Sequence, residues 1–122
     1  MVFDHLNQPP IVAKEKFGRW GEQMKMAAKN PQLYAKISGL GTAVGRKGEW
    51  SAEDIEPYVE FVLEHFGTDR CFFGGDWPVA LLAGRYSRTW QIYESVAEKL
   101  LSARDQAKVF FTNAKLFYNL DI

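Results

Sequence analysis

The sequence predicts an α/β fold in which parallel strands alternate with helices. Three short apolar segments carry strand-forming residues, and each is followed by a segment whose apolar residues recur at helical spacing. Strands and helices that alternate at this length are typical of βα units, whose crossovers are right-handed. With 122 residues, the chain has the length of one ordinary domain.

The first predicted βα unit is a strand over residues 1–6 followed by a helix over residues 17–30. Val2 and Phe3 are good strand formers, and the two adjacent prolines that follow cannot continue a strand. The helix ends before Pro31. Its apolar face, which we expect to pack in the core, comprises Phe17, Trp20, Met24, Ala27 and Ala28.

The second unit is a strand over residues 33–40, a glycine-containing loop over residues 41–50, and a helix. Ser51 and Asp54 have the spacing of a capping box, and Pro57 is suited to begin the main helical run. No helix start follows the loop glycines in the way that a phosphate loop requires, which argues against a nucleotide site. The buried stripe of this helix is predicted to contain Val59, Val62, Leu63 and Phe66.

The third unit begins with an apolar strand over residues 70–73. The pattern breaks at Gly74 and Gly75, and a loop and two further helices follow. The first of these helices is marked by Trp90, Tyr93, Ala97, Leu100 and Leu101. Ser102 and Asp105 form a capping box for the last helix.

Composition excludes several classes of function. The formal net charge is zero, which gives no support for a nucleic-acid partner. No apolar run approaches the length needed to span a bilayer, so we expect no membrane partner. Cys71 is the single cysteine, which rules out an intrachain disulfide and fits a reducing, cytoplasmic location. We expect Cys71 to be a small core residue and not a nucleophile.

Asp76 is the first candidate for chemistry. It follows an apolar strand directly after two glycines, and a carboxylate there is costly to bury unless it has a partner or a task. In α/β barrels the carboxyl ends of the strands carry the active site. These observations favour a catalytic or metal-binding acid. The alternative is an Asx turn, in which Asp76 bonds its own backbone.

Three other residues are weaker candidates. His5 lies at the carboxyl end of the first strand, although an isolated histidine is more often structural. Ser38 ends the second strand, where its hydroxyl contacts either a ligand or its own turn. Trp50 is a candidate aromatic wall beside a mobile loop.

Two motifs carry a family resemblance. Residues 73–79 read Phe-Gly-Gly-Asp-Trp-Pro-Val, and residues 3–6 read Phe-Asp-His-Leu. Together they resemble the amidohydrolase-related TIM-barrel hydrolases, and within them the sugar-lactonase branch with its fuconolactonase-like and rhamnonolactonase-like enzymes. The Lys-Ile-Ser-Gly-Leu segment at residues 36–40 fits the seventh barrel strand. Two positions depart from the family pattern: Gly75 stands where serine is usual, and Asn7-Gln8 stand where Gly-Lys is usual.

The resemblance implies that residues 1–122 are a partial domain, the C-terminal part of a (β/α)8 TIM barrel. They would supply the last three βα units and a C-terminal helix, with the N-terminal strands missing. Asp76 would be the general base that activates water. His5 would hold the water or the carbonyl oxygen from the opposite strand end. We therefore expect His5 and Asp76 to converge.

The resemblance also implies the ligands. The substrate would be a small molecule, a sugar lactone or a related acid, with Trp77, Trp50 and Ser38 as contacts. In members that bind a divalent metal, zinc or manganese, Asp76 and His5 would be ligands; other members use none. The alternatives are a decarboxylase or amide hydrolase on the same barrel, or a non-catalytic gene fragment or assembly module.

The implied truncation gives one further expectation. Both edges of a three-stranded parallel sheet stay open, and one face lacks the opposing barrel wall. We expect the chain alone to be inactive, and either to form a homo-oligomer through these edges or to fold poorly. The residues expected to include partly uncovered side chains are Val2, Phe3, Ile37, Phe72 and Phe73.

Overall fold

The computed structural model describes residues 1–11, 17–45 and 48–122. Three parallel strands form one sheet in the order β1 (Val2–Phe3), β2 (Tyr34–Ile37), β3 (Cys71–Phe73). The helices are α1 (Gly18–Ala28), α2 (Leu40–Val44), α3 (Ala52–Phe66), α4 (Tyr86–Leu100), α5 (Ala103–Ala107) and α6 (Asn113–Phe117), with a π-helical segment (Lys108–Thr112) joining the last two. The predicted α/β order and parallel sheet are confirmed.

The first strand is shorter than predicted. β1 ends at Phe3, and a 3₁₀ turn over Asp4–Asn7 replaces the rest of the predicted strand over residues 1–6. Four consecutive residues, His5 to Gln8, have φ between 50° and 57°, the left-handed region. The turn is fixed by tertiary contacts: Leu6 is fully buried, and the Trp20 indole nitrogen donates to the Leu6 carbonyl oxygen at 2.7 Å.

The helix predictions differ from the structure at two places. The predicted loop over residues 41–50 contains α2, which begins at Leu40 directly after the second strand. Arg46 and Lys47, in the same predicted loop, lie outside the described residues. The capping box of Ser51 and Asp54 is confirmed, but it starts α3 at once, so Pro57 lies inside the helix and not at its beginning.

One face of the sheet packs against the helices. The side chains on this face are almost fully buried: Ala35, Ile37, Cys71 and Phe73. Since successive strand residues point to opposite faces, these positions alternate with those on the other face. Phe73 stacks on Phe110 of the π-helical segment, with ring centroids 4.7 Å apart. Burial raises the pKa of the Cys71 thiol to about 12, which supports the predicted core role of that residue.

The opposite face is covered near its amino end by the last helix. Phe72 is 1% exposed because the Phe117 and Tyr118 rings lie 5.7 Å from its own ring. Tyr34 also contacts Phe117, at 4.8 Å. Of the five residues expected to include partly uncovered side chains, Val2 and Phe3 are half-buried, whereas Ile37, Phe72 and Phe73 are buried.

Asn113 anchors the last helix to the third strand. This buried amide donates to the carbonyl oxygen of Cys71 at 2.9 Å and also to that of Thr68. Sequence periodicity places Asn113 among apolar residues. Its buried amide is satisfied because backbone carbonyl oxygens at the start of β3 accept its hydrogen bonds. None of the helices in the described ranges is long and apolar enough to cross a membrane.

Candidate active site

His5 and Asp76 converge at the carboxyl ends of the first and third strands. The distance from His5 Nε2 to Asp76 Oδ1 is 3.6 Å, and the two side chains are 37% and 16% exposed. β2 lies between β1 and β3, so the two side chains meet because both extend over the carboxyl end of β2. The predicted convergence is confirmed, and it brings an imidazole and a carboxylate to one place.

A pocket of about 470 Å³ opens over this pair. Its volume lies in the range of small-molecule sites. Three segments line it, from the turn after β1, the start of α2 and the loop after β3: His5, Gln8, Pro9, Gly39, Thr42, Ala43, Asp76 and Val79. Both polar and apolar groups line the wall, as expected for a site that orients a small polar molecule.

The position of the His5 ring is fixed by its neighbours. Nδ1 lies 2.7 Å from the Ser38 hydroxyl oxygen, and Ser38 is fully buried. The His5 backbone is held in the left-handed turn, which is tied to α1 through Trp20 and Leu6. One ring nitrogen is thus occupied by the protein, while Nε2 faces Asp76 and the pocket.

Asp76 also has a left-handed backbone, with φ of 55°. Its carbonyl oxygen accepts from the Ala80 backbone N–H at 2.7 Å, which closes the turn after β3. Within the described residues, the Asp76 carboxylate forms no hydrogen bond with the backbone of its own turn, so the Asx turn is not observed. The carboxylate is therefore directed at the pocket and not used to cap the strand.

Gly39 permits the close approach of both groups. Its φ is 64°, and a Cβ added there would lie 2.9 Å from His5 Nδ1 and 3.2 Å from Asp76 Oδ2. Any side chain at position 39 would displace the imidazole and the carboxylate together. The glycine that ends the second strand is thus part of the site, a role that the sequence signalled only by its place after Ser38.

The sequence profile of the amidohydrolase family, described as "Amidohydrolase", matches residues 1–120. The chain belongs to this family. Among curated relatives, it is 36% identical over 99% of its length to an L-fucono-1,5-lactonase of Burkholderia ambifaria. It is 32% identical over 98% of its length to an L-fucono-1,5-lactonase of Burkholderia multivorans. Its identity to an L-rhamnono-gamma-lactonase of Scheffersomyces stipitis is 25% over 98% of its length.

The solved amidohydrolases show the same architecture. A Burkholderia multivorans amidohydrolase with bound zinc superimposes with a TM-score of 0.90 at 31% identity, over 98% of this chain and 44% of that one. The chain spans 42%, 43% and 40% of the length of the three lactonases. Its three strands and their helices form part of the (β/α)8 barrel of these proteins.

The other residues predicted to contact the substrate, Ser38, Trp50 and Trp77, lie in three different environments. Ser38 lies beneath His5 and is fully buried, so its hydroxyl reaches the imidazole and not the pocket. Trp50 is 1% exposed and packs in the core, where its indole nitrogen donates to the Ala83 carbonyl oxygen at 3.1 Å. This burial removes Trp50 from the ligand contacts. Trp77 is 66% exposed beside the site but does not line the pocket in the described residues.

Several pocket residues were missed by sequence reasoning. Thr42 and Ala43 reach the pocket because α2 begins directly after the second strand, in a segment that its glycines made look like a loop. The first residue of α2 is bonded to α4, because the Leu40 N–H donates to the buried Tyr93 hydroxyl at 3.4 Å. Burial raises the pKa of Tyr93, so this phenol stays neutral in its packing role.

Gly75 is explained by a neighbour on α4. A Cβ on Gly75 would overlap the Tyr86 phenolic oxygen and lie 2.8 Å from Tyr86 Cζ. The phenol fills the space where a side chain at position 75 would extend. The departure from the usual serine therefore has a structural counterpart in Tyr86.

The donor set for a metal is incomplete within the described ranges. They contain no group of three or more His, Cys, Asp or Glu side chains placed to hold an ion. His5 Nε2 and the Asp76 carboxylate are the predicted ligands, and both face the pocket. An imidazole nitrogen and a carboxylate oxygen are donors that zinc and manganese accept.

Proposed function

We propose that this chain supplies the base and the orienting histidine of an amidohydrolase that opens a sugar lactone. The observation that carries the proposal is the 3.6 Å approach of His5 Nε2 to Asp76 Oδ1 in a pocket of small-molecule size. Relatives described as L-fucono-1,5-lactonase and L-rhamnono-gamma-lactonase support the substrate class. The activity belongs to the completed barrel, to which the chain contributes its last three βα units.

In the proposed reaction, Asp76 removes a proton from a water molecule in the pocket. The water oxygen attacks the lactone carbonyl carbon and the ring C–O bond breaks. The leaving ring oxygen takes up the proton held by Asp76, which gives the open hydroxy acid and restores the carboxylate. His5 Nε2 lies beside the carboxylate, where it orients the water or the carbonyl oxygen. The Asp76 carboxylate is 16% exposed, so the site keeps contact with solvent, into which the new acid releases its proton.

The pocket wall fits a neutral ring. Gln8 lines the pocket where the family pattern has lysine, so no cation projects from that position toward the substrate. Its amide both donates to and accepts from hydroxyl groups. Thr42 adds a hydroxyl, and Pro9, Ala43 and Val79 add apolar surface. This wall suits a hydroxylated ring that carries no charge until it opens.

We also propose that His5 and Asp76 hold a divalent cation in the completed site, with the other ligands contributed from outside this chain. The donor chemistry fits, because Ser38 occupies Nδ1 of His5 and leaves Nε2 for a ligand. When bound, zinc or manganese lowers the pKa of water and polarises a carbonyl group. A relative solved with bound zinc supports this proposal.

The test completes the barrel. The 122-residue chain is co-expressed with the N-terminal segment of the Burkholderia ambifaria lactonase that this chain does not match. Five- and six-membered sugar lactones are then added, and ring opening is followed by the proton released from the new acid. The controls are the segment alone, the chain alone, and the complex with Asp76→Asn.

We expect lactone opening in the complex and a loss of about 10²–10⁴-fold with Asp76→Asn. A complex that co-purifies but opens no lactone would contradict the proposed function. Release of CO₂ from a carboxylated substrate, or of ammonia from an amide, would assign the alternative activities on the same barrel.

A further inference from the structure

The His5 ring offers two nitrogens, and the structure treats them differently. Nε2 faces the Asp76 carboxylate at 3.6 Å, on the pocket side. Nδ1 lies 2.7 Å from the hydroxyl oxygen of the buried Ser38. A histidine at a site works through whichever nitrogen is free, so the partner of the other nitrogen decides its role.

Ser38 is built into the floor of the site. It is fully buried at the end of the second strand, between the strands that carry His5 and Asp76. In the described residues, the imidazole is the one hydrogen-bond partner of its side chain. A buried hydroxyl without a partner is costly, so the ring and the hydroxyl stabilise each other's position.

The neighbouring glycine restricts the ring further. A Cβ at Gly39 would contact His5 Nδ1 at 2.9 Å and Cγ at 3.0 Å, so the bare backbone of Gly39 packs against the edge of the ring. The ring is thus held by a hydrogen bond from one residue and a close contact with the next. Since the His5 backbone is in a left-handed turn, these contacts decide where its side chain points.

We propose that Ser38 is a positioning residue that occupies Nδ1 of His5 and thereby directs Nε2 to the substrate. The Asp76 carboxylate is an acceptor, which favours a hydrogen on Nε2. The Ser38 hydroxyl then donates to Nδ1, the nitrogen that carries no hydrogen in this tautomer. Because a hydroxyl also accepts, it keeps Nδ1 paired when Nε2 gives up its hydrogen to bind a ligand. The consequence for catalysis rests on the proposed function, whereas the tautomer does not.

The direct test is nitrogen NMR of the imidazole rings. The chain has two histidines, so ¹⁵N-histidine labelling gives two imidazole spin systems, and His65→Gln identifies the one from His5. The labelled chain is measured alone and in complex with the unlabelled N-terminal segment. The variants are Ser38→Ala, which removes the hydroxyl, and Ser38→Cys, which keeps a weak donor of similar shape. Ser95→Ala, at an exposed site on α4, is the matched control.

We expect the Nε2–H tautomer in the unmodified chain, with the Nδ1 resonance of a hydrogen-bonded acceptor. Ser38→Ala should move the Nδ1 resonance several parts per million downfield, because this acceptor nitrogen loses its hydrogen bond. Ser38→Cys should give an intermediate shift. The proposal would be overturned if a folded Ser38→Ala chain had the same Nδ1 chemical shift as the Ser95→Ala chain. It would also be overturned if Ser38→Ala, Ser38→Cys and Ser95→Ala all changed the His5 resonances equally.

Kinetics of the complex separates this inference from the proposed function. Ser38→Ala should lower kcat about 10–100-fold with little change in KM, as expected when a supporting partner of a site histidine is lost. If the NMR shifts change as expected but no complex opens a lactone, the positioning role stands and the proposed function fails. If lactones are opened equally well by Ser38→Ala, the positioning role fails and the proposed function stands.

Discussion

His5 and Asp76 share a left-handed backbone conformation, with φ of 53° and 55°, although neither residue is glycine. Such a conformation costs about 1–2 kcal/mol for an L-residue with a side chain. These two backbone conformations direct the imidazole and the carboxylate toward each other, although His5 follows β1 and Asp76 follows β3. Two hydrogen bonds hold these backbone conformations in place. Trp20 donates to Leu6 in the turn after β1, and the Ala80 N–H donates to the Asp76 carbonyl oxygen in the turn after β3.

The left-handed backbone of Asp76 distinguishes two substitutions. Asn tolerates this region well, so Asp76→Asn should fold with unchanged stability and lose activity in the completed barrel. Asp76→Ala should lose activity and also about 1 kcal/mol of unfolding free energy, because alanine adopts this conformation at a cost. Urea unfolding of both variants beside the lactone assay measures the two effects. Equal stabilities, or a stable Asn variant with near-normal turnover, would contradict this interpretation.

Loss of the hydrogen bond from Trp20 to Leu6 should affect the position of His5 more than the packing of the core. Trp20→Phe keeps an aromatic ring but leaves the buried Leu6 carbonyl oxygen without its donor, at about 1–3 kcal/mol. Loss of this tether should loosen the turn that carries His5 and broaden its NMR signals. Trp90→Phe is the matched control, since the Trp90 indole nitrogen has no hydrogen bond within the described residues. Equal effects of the two changes would argue against the tether.

Burial of Cys71 predicts slow labelling. The thiol is fully buried, and burial raises its pKa to about 12. At a pH of about 8 a thiol reagent should therefore react only as fast as the chain unfolds, whereas the chain in denaturant reacts at once. The folded-state pKa lies above the ordinary value of 9.0, so this thiol stabilises the fold below pH 9.0 and loses that contribution as the pH rises toward about 12. Rapid labelling of folded chain would contradict the packing of β3.

We expect the chain alone to self-associate and to be inactive. β1 and β3 are the outer strands of the described sheet, and exposed strand edges pair with other chains. The formal net charge of zero gives no repulsion between copies. Sedimentation should show oligomers that Val2→Lys, a charge on the β1 edge, shifts toward monomer. A monodisperse monomer that opens a lactone would refute this expectation.

The sequence was informative where local chemistry decides the structure. Ser51 and Asp54 predicted the start of α3 because a capping box is satisfied by neighbouring residues alone. Asp76 was found because an acid after an apolar strand is costly without a task. The left-handed turn after β1 was missed, since no glycine marks it and the contact from Trp20 imposes it. Trp50 was misplaced because glycine neighbours suggested a surface loop, whereas Ala83 accepts its indole N–H inside the core.

A side chain at position 75 and the Tyr86 phenol would occupy the same space, so the residue at one position limits the side chain at the other. A serine cannot enter position 75 while the phenolic oxygen of Tyr86 stays there. A serine at position 75 therefore requires the Tyr86 ring to move away from the strand end, so the residue at position 75 decides where the phenol at the start of α4 lies.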